Sequence, residues 1–141
     1  MPLQVIVTEG LLSPEAEHSV FHDLTHLLLE LHGISDNAFM TPNIIGEVVV
    51  VEKGRSFSGG APADIAVFEL KAPSFVLADP GLQKAWIARG TEIIEKAAQG
   101  RVPANRIYGN VVHALDGAWG IAGVAYDNAT LGQAIASGIP I

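Results

Sequence analysis

The stretch "IIGEVVV" at residues 44–50 returns as "IYGNVVH" at 107–113, matching at Ile, Gly, Val and Val across 63 positions. A second pair of marks recurs at a similar offset. Ser13-Pro14 and Asp79-Pro80 each place a side-chain cap before a proline, the usual opening of a helix. A repeat of this length is too short to bury a core alone, so the two halves are expected to pair. Each half reads as strand, helix, strand. In the first, "LQVIVT" (3–8) is β-branched and strand-length, and a helix runs from Pro14 to Leu31 or His32, where Gly33 stops it. Its apolar stripe is Val20, Leu24, Leu27, Leu28 and Leu31. "IIGEVVVVE" then reads as a strand buried on both faces, as in a parallel pairing.

The second half follows a glycine-rich turn region at 53–64. "IAVFELK" is a strand. "ADPGLQKAWIARGTEIIEKAAQG" is a helix ending at Gly100, with Leu82, Trp86, Gly90, Ile93 and Ala97 on one side, where Gly90 permits close backbone approach. "RIYGNVVHAL" is the fourth strand. The tail reads as a hairpin or extended arm, "DGAWGIAGVAYDN", and then a helix-like turn, "ATLGQAIASGIPI". The repeats therefore span about 2–52 and 64–113, with an arm at 114–141. Two right-handed βαβ units form a single α/β domain, a four-stranded sheet with two helices on one face.

Such a sheet leaves its other face bare. Hydrophobic residues make up 49% of the 141 and charged residues only 16%, a surplus that points to burial between copies of the chain. No apolar run reaches the roughly 18–20 residues that span a bilayer. The net charge of −7 excludes a phosphate-neutralising surface, and no basic cluster suits an anionic membrane. Without cysteine there is no disulfide, thiolate metal site or thiol nucleophile. Glu9, Glu15 and Glu17 interrupt what would be a secretory leader, so a cytoplasmic location is expected.

Pro2 follows the initiator methionine. A small second residue permits removal of Met1, which would leave a secondary amine at the tip of an apolar strand. A proline there is also common without chemical purpose, so its meaning depends on the other residues. Pro2 with its strand, the "TEG" before the first helix, "VVVVEKGRSFSGG", "NRIYGN" and "AWGIAGVAYDNATL" together resemble the tautomerase superfamily. That family includes 4-oxalocrotonate tautomerase and macrophage migration inhibitory factor (MIF), and the resemblance covers roughly residues 2–131. It implies a homotrimer with three sheets facing inward, and a carboxy-terminal arm docked on a neighbouring subunit. It also implies catalysis by Pro2 on a small molecule, without metal or cofactor.

The chemistry that the resemblance implies is keto–enol isomerisation. An amine among apolar side chains stays neutral and can move a proton from the carbon beside a carbonyl. A small 2-oxo acid or aryl-pyruvate-like compound is the expected substrate. The alternatives are hydration, dehalogenation or decarboxylation of unsaturated or 3-oxo acids by protonated Pro2, or a non-catalytic binding role. Tyr108 and Asn110 are two apart on a strand and so share one face, a polar wall for a carbonyl or else interface residues. By the resemblance they approach the proline of an adjacent subunit. Phe57 stands near the family's active-site phenylalanine, or is an ordinary aromatic. Lys71, and more weakly Lys53 and Arg55, could meet a substrate carboxylate or simply be solvated.

Departures from the family limit that substrate. Leu11, Glu47 and Met40 stand where its branches carry basic residues, so a dianionic substrate fits poorly. Glu47 interrupts an apolar strand, and is expected either to line the site, activating water, or to pair with a base at a subunit contact. His18, His22 and His26 share the polar side of the first helix and are expected to be solvated, not metal ligands. His113 is expected in the core or an interface.

Overall fold

Alternation in strand β1 (Pro2–Thr8) buries Leu3, Val5 and Val7 on one side of the chain, in a computed structural model describing residues 1–141. Helix α1 (Pro14–Leu31) starts where the Ser13 hydroxyl accepts from the Ala16 N–H at 3.1 Å, and it stops before Gly33, whose φ is 68°. The chain returns through a loop into β2 (Ile45–Val51), which lies parallel to β1 with Pro2 opposite Ile45 and Thr8 opposite Val51. The glycine-rich segment forms a minor hairpin, β3 (Phe57–Ser58) and β4 (Ala61–Pro62). The second unit is β5 (Ala66–Pro73), helix α2 (Pro80–Ala97) and β6 (Ile107–Ala114), again with its strands parallel. The two units join through antiparallel β1 and β5, giving the order β2-β1-β5-β6.

Both helices cover the same face. Trp86 and Ile94 of α2 and Leu24 and Leu28 of α1 close over Leu3, Val5, Phe68 and Leu70, all essentially fully buried. The expected stripe on α2 shifts by one residue, from Ile93 to Ile94, because the core holds the four-residue series Trp86, Gly90, Ile94. The glycine repeated in the two sequence halves now has a steric reason. A Cβ at Gly109 would sit 2.4 Å from Phe68 Cζ, and one at Gly46 would sit 1.8 Å from the Leu3 carbonyl oxygen. Gly90 meets the same phenylalanine from the helix, with 2.6 Å between its would-be Cβ and Phe68 Cε2. The Phe68 ring packs edge-on to Trp86 at a centroid distance of 5.8 Å, held from both sides.

Strand β2 departs from expectation. It is parallel, but it lies at the sheet edge, and Ile45, Val49 and Val50 are exposed. Its unbroken hydrophobicity reflects an uncovered sheet face and edge rather than burial within the chain. The tail forms the expected hairpin and then a helix. After the hairpin β7 (Trp119–Ile121) and β8 (Val124–Tyr126), helix α3 (Asn128–Ser137) is capped by Asp127 and folds back on its own chain. Asn37 Nδ2 donates to the Ile135 carbonyl at 2.8 Å, Asn128 Nδ2 to Ser74 Oγ at 2.8 Å, and Leu131 is buried. Within the chain, α3 braces the loops that end the sheet.

Candidate active site at the amino-terminal strand

Even-numbered residues of β1 face away from the helices. Register places Glu47, Gln4, Glu69 and Asn110 in one row straight across that open face. The row is hydrogen-bonded in pairs: Gln4 Nε2 donates to Glu47 Oε1 at 2.6 Å, and Asn110 Nδ2 donates to Glu69 Oε2 at 2.6 Å. Apolar residues flank it, with Ile45, Pro2 and Val112 toward one end and Val49, Ile6, Val67 and Tyr108 toward the other. Ile45, Val112 and Tyr108 are each about half exposed (57%, 47% and 47%). A sheet face of this kind exposes more hydrocarbon than water-facing strands usually do.

Pro2 lies at the end of this face and lines two hollows, and Met1 beside it lines a third. The smallest, about 30 Å³, is lined by Pro2, Gln4, Glu69 and Lys71. Lys71 Nζ stands 3.8 Å from Glu69 Oε1 and gives this hollow its one cation. A second, a cleft of about 400 Å³, runs between Pro2, Asn43 and Ile45 on one side and the β7 hairpin, Ala118 to Ala122, on the other. A third, an apolar cavity of about 140 Å³, lies on the helix side beneath Met1. Met1 is 6% exposed; its amino group donates to the Asn43 carbonyl and its own carbonyl accepts from Ile45 N–H at 3.1 Å. Burial pulls the Met1 ammonium from the ordinary 8.0 down to about 5, since the charged form loses its water. While Met1 is attached, the Pro2 nitrogen is an amide and has no basic lone pair.

The expected site residues divide into two groups. Lys71 shares a hollow with Pro2. Tyr108 and Asn110 share the open face with it, but Tyr108 is registered through Val67 to Ile6, two strands over and four residues up the sheet. Phe57 follows the far end of β2, beside Thr8, roughly 20 Å from Pro2 at the strand rise. Within one chain neither aromatic touches Pro2. Lys53 and Arg55 lie at that far end too, paired with Asp64 at 2.7 Å and Glu52 at 3.2 Å. Glu47 is exposed and held by an amide, not by a base. His18, His22 and His26 are exposed on α1, and His113 is exposed with Nε2 donating to the Val76 carbonyl at 2.7 Å.

Sequence reasoning did not single out Glu69, Gln4, Asn43 or Trp119. The signal for Glu69 and Gln4 was present, as a polar residue at an alternating position of a largely apolar strand. Their pairing partners depend on strand order, which no local pattern encodes.

No family model and no curated protein matches the chain. Solved structures do. Pt0534, solved after inactivation by 2-oxo-3-pentynoate, superposes with a TM-score of 0.74 at 13% identity, over 89% of this chain and 96% of its own. A fused 4-OT solved as an asymmetric trimer has the same TM-score at 16% identity, with 89% and 95% covered. The MIF-like protein of Entamoeba histolytica gives 0.69 at 18% identity, with 89% and 97% covered. The chain has the fold of the tautomerase superfamily.

Proposed function

We propose that this chain is a tautomerase-like isomerase acting on a small, singly charged 2-oxo acid. Pro2, freed by removal of Met1, is its acid/base. The observation that carries the reading is the place of Pro2, at the junction of an apolar cleft and a hollow holding a single lysine. Burial lowers the pKa of the Met1 amine at this end of the sheet, and Pro2, one residue on, is half-buried beside the same apolar cleft. The neutral nitrogen takes a proton from C3 of the 2-oxo acid, and the C–H electron pair moves into the C2–C3 bond. The carbonyl π pair moves onto oxygen, where the Lys71 ammonium offsets the developing charge. The prolinium then gives that proton to the enolate oxygen, forming the enol; in the ketonising direction Pro2 takes the enol O–H proton and delivers it to C3.

The bare apolar sheet face supports a homotrimer, as does the trimeric state of the fused 4-OT of similar fold. Packing against two copies would cover Ile45, Val49, Tyr108 and Val112, and could bring Tyr108, Asn110 and Phe57 of a second subunit to Pro2. A sedimentation mass of three times the chain's 14.8 kDa is the expected result. The loss of basic residues at Leu11, Glu47 and Met40 fits a substrate with one carboxylate better than one with two.

An acetylenic 2-oxo acid tests the base directly. 2-Oxo-3-pentynoate, which inactivates Pt0534, presents an electrophilic alkyne to any neutral amine within reach. The adduct is expected on Pro2 of the processed chain, located by mass spectrometry of the amino-terminal peptide. Labelling elsewhere, or none, overturns the assignment.

A further inference from the structure

Met1 divides two spaces. On one side it lines the cleft with Pro2, Asn43, Ile45 and the β7 hairpin; on the other it lines the apolar cavity. Leu28 and Leu29 of α1, Ile34 and Met40 of the following loop, Val76 after β5 and Ile135 of α3 supply most of the cavity wall. The odd-numbered register of β1 continues backwards to position 1, so Met1 points to the helix side like Leu3 and Val5, into the core cluster. The wall holds one polar side chain, His32, and its Nε2 is already occupied by the Leu77 N–H at 3.3 Å. An acceptor Nε2 places the imidazole proton on Nδ1, so the ring is neutral. Every other lining group is hydrocarbon or thioether.

Removing Met1 takes away the partition. The cleft and the cavity become one space, and the Pro2 nitrogen stands at the opening between them. The unbranched side chain that occupied the opening is a stem of four heavy atoms. A substrate with its carboxylate near Lys71 and its reacting carbon at Pro2 has this direction left for its remaining group. We infer that the place vacated by Met1, with the cavity beyond it, is the specificity pocket of the enzyme and takes an unbranched alkyl arm of the 2-oxo acid. This rests on the reading of Pro2 as the base. The other two hollows differ in kind. The Lys71 hollow is polar and small, and the hairpin cleft is open to solvent. Aminopeptidase action would then both create the base and empty the pocket.

Two readouts test this, one of which needs no catalysis. Deuterium exchange at C3 is followed for pyruvate, 2-oxobutanoate, 2-oxopentanoate and 2-oxohexanoate with the processed chain. The expected kcat/KM rises about fourfold per added methylene, the factor that hydrocarbon burial supplies. Ile135→Trp, which fills the cavity from α3, is expected to collapse the ratio between 2-oxohexanoate and pyruvate. Separately, hexanoate is expected to raise the Tm of the processed chain more than acetate does at equal ionic strength. That difference should vanish in the chain that keeps Met1, which guards against a filling variant that fails to fold. A flat substrate series, or equal shifts with the two carboxylates, overturns the pocket. Preferential stabilisation by hexanoate without exchange of any 2-oxo acid would retain the pocket and remove Pro2 as its catalyst.

Discussion

Gly109 carries the internal repeat and also tests whether the core is packed as described. A Cβ added there lies 2.4 Å from Phe68 Cζ and 2.9 Å from Ile87 Cδ1, well inside contact distance. The ring has nowhere to retreat. Gly90 meets it from α2, where a Cβ would lie 2.6 Å from Cε2, and Trp86 holds its edge. Overpacking of this kind costs roughly 1–3 kcal/mol, and a fully enclosed aromatic places Gly109→Ala near the upper half, about 2 kcal/mol. Gly90→Ala presses on the same ring but recovers about 1 kcal/mol of helix propensity, so its net cost is expected to be about half as large. The decisive comparison is a cycle with Phe68→Leu. Shortening the ring removes the clash, so the pair with Gly109→Ala should cost less than the sum of the singles by at least about 1 kcal/mol. Urea unfolding at one fixed protomer concentration reads these values, since association would shift the midpoint. Additivity within about 0.5 kcal/mol would refute the account of the shared glycine.

Lys71→Met is expected to lower kcat/KM for a 2-oxo acid by at least about tenfold, with a fall in kcat as well as a rise in KM, because the ammonium meets both the carboxylate and the developing enolate charge; unchanged steady-state kinetics would contradict that. The chain that keeps Met1 should gain stability as pH rises from about 5 to about 8, because across that window the unfolded state binds the amine proton and the folded state does not. His32, which burial holds below its ordinary range, acts in the same direction, so the Tm profile is best read in a His32→Gln background; a flat profile there would contradict the buried amine. The β7–β8 turn places Ala122 at φ 51° before Gly123 at φ 80°, a left-handed pair that suits asparagine better. Ala122→Asn should stabilise the chain by roughly 0.5–1 kcal/mol by thermal melting, and a lowered Tm would count against the turn geometry.

The helices and strands of the two units were legible because their signals are local. Ser13-Pro14 and Asp79-Pro80 open helices by capping chemistry that needs no tertiary context, and the observed starts are at Pro14 and Pro80. Gly90 was legible as a place of close approach, though Phe68 as the approaching ring was not. Strand β2 shows the limit: "IIGEVVVVE" is equally apolar whether it lies at the centre or edge of a sheet, and only strand order decides. The site was legible in part. Tyr108 and Asn110 do share a face, since period-two alternation guarantees it. Glu69 with Asn110, and Gln4 with Glu47, pair across strands distant in sequence and needed the register. Met1 escaped notice as a structural element because a residue expected to be removed carries no pattern of its own.

The central claim is that a free Pro2 nitrogen does the chemistry. Ketonisation of phenylenolpyruvate, followed by ultraviolet absorbance, compares two forms of one protein: the processed chain and the chain purified with Met1 intact, each verified by intact mass. The account predicts turnover by the processed form and a loss of at least about a hundredfold when Met1 remains, the scale of a removed general base. Equal rates from the two forms would contradict it.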